Sequence, residues 1–304
     1  VPGAGAALAL AGACMALSIA NPARLILVPA ALVLLALPPL QPARALLGAA
    51  GALLLVVGGP HTTAADFERG WSLLLGGWFI AVCALASRSG GEPRFLSRGL
   101  VTVAGAAASA ALLFWFRGGL FERVDSAVRL NLADSGEAFL KLVGGTRADP
   151  RLADAFREVT AVQGLIYPAL LAVSSLAALG VAWWVWGRVA GRETGLRPLR
   201  EFRFADGLVW VLIGGLLLML LPLSPIADRA GSNLLAFMGL LYALRGLAVM
   251  VVVGSGISWV GVVLAVLLLV LLYPLVMAAT FIVGLSDTWL DIRTRREAMA
   301  PPRT

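Results

Sequence analysis

The stretch GISWVGVVLAVLLLVLLYPLVMAATFIVGLSDTWLDIRTRR, residues 256–296, runs for about 30 residues without a charged side chain. It then ends on Asp287, Trp289, Asp291 and Arg293. A straight helix of about 35 residues would reach over ~50 Å, well beyond the ~30 Å hydrocarbon core of a bilayer. Tyr273-Pro274 falls near the middle of the run, and proline interrupts a helix by removing a donor and crowding the preceding turn. The expected reading is a pair of short spans, about 256–271 and 274–290, followed by a polar tail.

The rest of the chain has the same character. Hydrophobic residues make up 60% of 304 residues and charged residues 13%, with a mean hydropathy of +0.91. A soluble domain carries about a quarter charged residues, so this composition is that of a polytopic membrane protein. The apolar stretches are continuous and do not alternate with period two, which selects helices over a barrel. The formal charge of +7 comes from arginine, since Lys141 is the only lysine. These arginines are scattered through short loops with no basic stripe interleaved with aromatics. They are read as orientation signals, and nucleic acid is not an expected partner. Cys14 and Cys83 lie inside apolar segments and are read as small packing residues. His61 is the only histidine, which all but excludes histidine-built metal centres and histidine-relayed nucleophiles.

Apolar segments recur at about 3–20, 24–40, 44–59, 70–87, 98–117, 161–187, 207–223 and 232–253, before the closing pair. The first three are short, and Pro29 and Pro38-Pro39 interrupt the second, so tilted, re-entrant or shallow helices are all open there. Residues 3–20 lack a basic flank and precede further spans, so a retained helix is expected rather than a cleaved signal. The loop 87–98 holds three arginines against Glu92, the linker 188–206 five arginines against three acids, and the tail beyond Leu290 four against two. All three are expected to be cytoplasmic. Residues 60–69 and the loop 118–160, which has no basic excess, then fall outside; Arg24 fits this scheme less well. The expected fold is an all-α, polytopic transmembrane helical bundle of about ten spans, with eight as the alternative. It forms a single integral membrane domain over 1–304 in the bacterial cytoplasmic membrane, with both termini inside.

Within the loop 118–160, Phe121, Val124, Val128, Leu132, Phe139 and Leu142 recur at helical spacing among charged residues. This predicts an amphipathic helix that lies on the outer interface, caps the bundle, or forms a lid over an outward-facing cavity. Residues 150–158 lead straight into the next span. Trp183, Trp184 and Trp186 before Arg188 read as an interfacial aromatic belt. Ala9-x-x-x-Ala13, Gly12-x-x-x-Ala16 and Gly105-x-x-x-Ser109 allow close helix approach, either internally or against another membrane subunit.

No catalytic motif is present: there is no phosphate-binding loop, no His-Glu-x-x-His and no Gly-x-Ser-x-Gly elbow. The protein is expected not to be an enzyme and to need no cofactor. The polar residue that stands out inside a span is Arg245, a position that costs a few kcal/mol (~3) unless something compensates. Tyr242 and Asn233 share its segment, and Asp287 is a plausible counter-ion. Three readings stay open: snorkelling toward the cytoplasmic end, a structural Arg–Asp bridge, or a ligand contact lined by Asn233, Tyr242, Arg245 and Asp287.

One order of residues gathers the carboxy-terminal half. Phe202-Arg-Phe204 runs into Gly207-Leu-Val-Trp210. Asn233-Leu-Leu, Gly239-Leu-Leu-Tyr242 and Arg245-Gly246-Leu-Ala-Val249 follow. Gly284-x-x-Asp287-x-Trp289-x-Asp291-x-Arg293 closes the series. Over about residues 200–296 this resembles the YybS-like, or DUF2232, family of bacterial membrane proteins. The resemblance implies a bundle related to the substrate-binding (S) components of energy-coupling-factor transporters, without an ATPase of its own. It therefore implies a lipid environment and, on the transport reading, a membrane partner subunit or an energy-coupling ATPase module. The alternative is a non-transporting scaffold or regulator of an envelope process acting through the linker and tail.

Overall fold

The computed structural model describes residues 4–17, 20–37, 42–57, 61–88, 95–144, 150–192, 194–196, 198–253 and 273–291, and the regular elements among them are all helical. The chain divides into two compact units, Val1–Leu196 and Arg197–Thr304.

The first unit contains α1 (Ala4–Leu17), α2 (Pro22–Ala36), α3 (Pro42–Val57), α4 (Thr63–Arg88), α5 (Phe95–Phe116), α6 (Leu120–Gly144) and α7 (Pro150–Ala190). Its spine is α7, which packs on α1, α2, α5 and α6. At 41 residues it extends about 60 Å, because residues 150–158 continue without a break into the apolar stretch. Pro168 sits inside α7 and Pro29 inside α2, and neither ends its helix. Packing on neighbours compensates for the missing donor.

Small residues set the spacing between these helices. Trp78 on α4 lies over Gly105 on α5 and donates from Nε1 to Ser109 Oγ at 3.0 Å. The Gly105/Ser109 pattern is therefore used for internal packing. Trp71 Nε1 donates to the buried Ser175 Oγ at 2.9 Å, joining α4 to α7. Cys14 and Cys83 are buried free thiols, as their apolar contexts suggested. The tryptophans near the end of α7 depart from a simple lipid-facing belt. Trp183 and Trp186 are buried and stacked with centroids 4.4 Å apart. Their Nε1 groups donate to the carbonyls of Thr194 (2.9 Å) and Leu37 (2.8 Å). Carbonyls at helix ends and in loops need donors, and here they hold the indoles inward.

The amphipathic helix of the 118–160 region is α6. Val124 and Val128 are buried with Tyr167 of α7, against Phe67, Phe114, Leu120 and Leu132. Phe121 is more exposed and meets the Phe114 ring edge-on at 5.6 Å; the side chains of Phe139 and Leu142 lie outside the described residues.

The second unit contains α8 (Val209–Leu220), α9 (Pro225–Val253) and α10 (Tyr273–Leu290), with α9 packed against both of the others. α10 carries the second of the two expected spans, about 274–290; the expected span 256–271, and with it the expected break before Pro274, lies outside the described residues. On each side of α9 the backbones approach closely at glycine. Gly231 meets the backbone of α8 at Gly215, and Gly246 meets the backbone of α10 at Thr280 and Gly284.

Among the described residues, four helices are long and apolar enough to cross a membrane: Thr63–Ala86, Phe95–Phe116, Ala153–Ala190 and Pro225–Val252. Pro22–Ala36, Asp206–Leu220 and Leu275–Leu290 are apolar but shorter. Helices of this length, about 22–24 Å, match a bilayer only where it thins.

Candidate functional site

In the second unit the polar residues collect where α9, the end of α10 and the incoming linker meet. The Gly246–Gly284 crossing comes first. A Cβ on either glycine would overlap backbone atoms of the facing helix, so the two helices touch main chain to main chain. That approach brings Arg245, next to Gly246, against Asp287, less than one turn beyond Gly284. Both side chains are fully buried.

Each of the three nitrogens of Arg245 makes one hydrogen bond to a protein group. Nε donates to Asp287 Oδ2 at 3.0 Å, Nη2 to the Asp287 carbonyl at 3.2 Å, and Nη1 to Asp206 Oδ1 at 2.8 Å. The Phe204 ring lies beneath the guanidinium, 5.3 Å from Cζ to its centroid. Phe204 also meets Tyr242 edge-on at 5.1 Å, and Tyr242 meets Phe281 at 6.1 Å. A guanidinium offers planar donors and an apolar face, and here both are occupied.

A second pair lies further out. Arg203 Nη2 bonds Asp291 Oδ1 at 2.8 Å. Asp291 follows the last residue of α10 with φ of 43°, a left-handed conformation that aspartate tolerates better than most residues. Its N–H returns to the Asp287 carbonyl at 3.3 Å, which closes the helix. Carboxylates near a helix carboxy terminus oppose the helix dipole by about 0.3–1 kcal/mol each. Asp287 and Asp291 both sit there, and Arg245 and Arg203 supply the positive charge that this end favours.

Of the site residues expected from sequence, Tyr242, Arg245 and Asp287 come together, as do Gly246, Gly284 and Asp291 of the family pattern. Asn233 does not join them. It lies three turns away on α9, about 18 Å along the axis, and its Nδ2 donates to the Arg229 carbonyl at 2.9 Å. Trp289 faces outward at 66% exposure, and Arg293 is outside the described residues. Sequence reasoning left out Asp206 as a partner of Arg245 and Phe204 as its ring. The signal was the acid two residues beyond Phe204, in a linker read mainly for its arginines.

Residues 6–288 match the family model described as predicted membrane protein (DUF2232). The chain belongs to that family. Neither a curated protein nor a solved structure matches it.

The first unit of this DUF2232 protein contains a part-buried ion pair of its own. Arg24 Nη1 at the start of α2 bonds Glu68 Oε2 on α4 at 2.7 Å, with both side chains nearly covered. Glu68 borders a cavity shared with Ala20, Phe67, Val128, Asn131, Tyr167 and Leu171. Its volume is about 20 Å³, room for one water molecule. Typical small-molecule sites are larger by more than tenfold, at about 300–1,000 Å³. Among the described residues, no group of histidine, cysteine and carboxylate side chains is arranged to hold a metal ion.

Proposed function

We propose that this DUF2232 protein is a non-enzymatic, multi-spanning protein of the bacterial cytoplasmic membrane that organises or regulates an envelope process through its linker and carboxy-terminal end. The observation that carries this reading is the pairing of Arg245 with two carboxylates. A receptor for an anionic ligand needs an unmatched positive charge, whereas this guanidinium already bonds both Asp287 and Asp206 within the protein. The cluster is therefore read as a tie that fixes the linker against the end of α10. A non-enzymatic role rests on the sequence, which lacks a nucleophile–base pair and a phosphate-binding loop.

The orientation proposed with it places linker and tail in the cytoplasm. The Arg203–Asp291 pair supports putting both on one side of the membrane, the parity that the arginine distribution requires. The Arg24–Glu68 pair supports putting the start of α2 and the start of α4 together on one side. It also accounts for Arg24, whose charge is matched before it counts as an orientation signal.

The second reading is an S-component-like subunit that holds a small ligand and relies on a separate energy-coupling ATPase. It is favoured by the cavity at Glu68, Asn131 and Tyr167, which α6 covers. Ligand binding there would require α6 to lift, since the space is water-sized. Affinity purification from native membranes in mild detergent separates the readings. The organising role predicts co-purifying envelope proteins without an ATPase module. Stoichiometric energy-coupling subunits or a bound small molecule would replace it with the transport reading.

A further inference from the structure

We propose that Phe202–Asp206 is a releasable strap: a latch between Arg203 and Asp291 opens independently of the helices, while Phe204 and Asp206 hold the strap in register over Arg245. This goes beyond the organising role and concerns the second unit alone.

The strap has no regular secondary structure over 202–205. Its described backbone hydrogen bonds are local turns, Phe202 N–H to the Leu199 carbonyl and Leu208 N–H to the Ala205 carbonyl. Three side chains tie it to the helices: Arg203 to Asp291, Phe204 to Tyr242 and Arg245, and Asp206 to Arg245.

These attachments differ sharply in strength. Arg203 and Asp291 are 45% and 42% exposed, so water competes for both and the bond contributes little. Phe204 is buried, and Asp206, though 54% exposed, holds an arginine with no exposure at all. Removing that carboxylate would leave a buried charge short of a partner.

Arg203 offsets the charge that Asp291 carries at a helix carboxy terminus, a modest term that opening the latch gives up. Opening the latch exposes the end of α10, where the tail begins, and leaves one aromatic plug and one carboxylate over Arg245. A partner that pairs with either latch residue would hold the strap open.

Hydrogen–deuterium exchange of the full chain in lipid nanodiscs tests this. Asp291→Asn removes the latch charge, and asparagine keeps the left-handed cap. Exchange in peptides covering 199–208 is expected to quicken about fivefold, the weight of one exposed ion pair, while α9 and α10 stay unchanged. Arg203→Ala should act in the same way, and 0.5 M salt should mimic both in the unmodified protein. Unchanged strap exchange in both variants overturns the proposal. So does an equal rise across strap, α9 and α10, which would make the pair a structural bond of the whole unit. Phe204→Ala guards against a false negative: if it quickens strap exchange and the latch variants do not, the plug alone holds the strap and no latch exists.

Discussion

Gly246 and Gly284 face each other across the α9–α10 crossing with no room for a side chain on either. The Arg245–Asp287 bond depends on that proximity. With the backbones in contact, a side chain less than one turn from each glycine spans the gap at 3.0 Å. Any group inserted at the crossing would separate donor from acceptor.

Gly284→Ala is accordingly expected to destabilise the second unit by at least ~1–3 kcal/mol, the range for an overpacked core. Gly239→Ala on α9 serves as the control, because a Cβ there meets nothing within 4 Å. It should be neutral or mildly stabilising, by up to ~1 kcal/mol. Thermal unfolding in detergent reads both, and equal effects would show that the crossing is looser than described.

The buried ion pair predicts non-additivity. Arg245→Leu leaves Asp287 a buried charge without this partner, at about 3–5 kcal/mol, and Asp287→Leu leaves Arg245 with the half-exposed Asp206 as its carboxylate. The double variant removes both charges and should be more stable than at least one of the single variants. A double variant as destabilised as the sum of the two would contradict the pairing.

Asp206→Asn should be the milder change, because half of that side chain already meets water. A loss of about 1 kcal/mol is expected, well below that of Asp287→Asn. The reverse order would make the linker carboxylate the principal partner of Arg245.

The Arg24–Glu68 pair is nearly covered, so reversing one charge places two like charges together. Arg24→Glu should lower the amount of folded protein in membranes, and adding Glu68→Arg should restore it. Failure of the second change to rescue would argue against direct pairing.

Orientation is open to a direct check. His61 and Arg192 are both exposed, near opposite ends of the first unit's long helices α4 and α7. In a variant lacking Cys14 and Cys83, His61→Cys should react with an impermeant maleimide from outside intact cells. Arg192→Cys should react only after the membrane is opened. The opposite pattern would invert the proposed topology.

How much of this was legible in the sequence differs between residues. Asp287 could be named as a partner for Arg245 because two opposite charges in apolar runs have few other ways to be tolerated. Asn233 was drawn toward the same seam because periodicity counts faces of a helix and not distance along it, and a local carbonyl satisfied its amide instead. The inward turn of Trp183 and Trp186 was not legible, since the carbonyls they reach belong to Leu37 and Thr194, one distant in sequence and the other in a loop.

The sequence by itself determined the solvent, the helical class and the amphipathic helix after Gly119. These follow from hydropathy and period, which act over a few neighbouring residues. Only the tertiary structure decided that Arg245 bonds Asp287, that Asp206 is its second carboxylate, and that Arg203 pairs with Asp291. Those outcomes depend on residues 39 to 88 positions apart meeting within a few ångströms. Such meetings are set by which helix backbones approach closely enough, and at Gly246 and Gly284 that is decided by the absence of side chains on both partners at once.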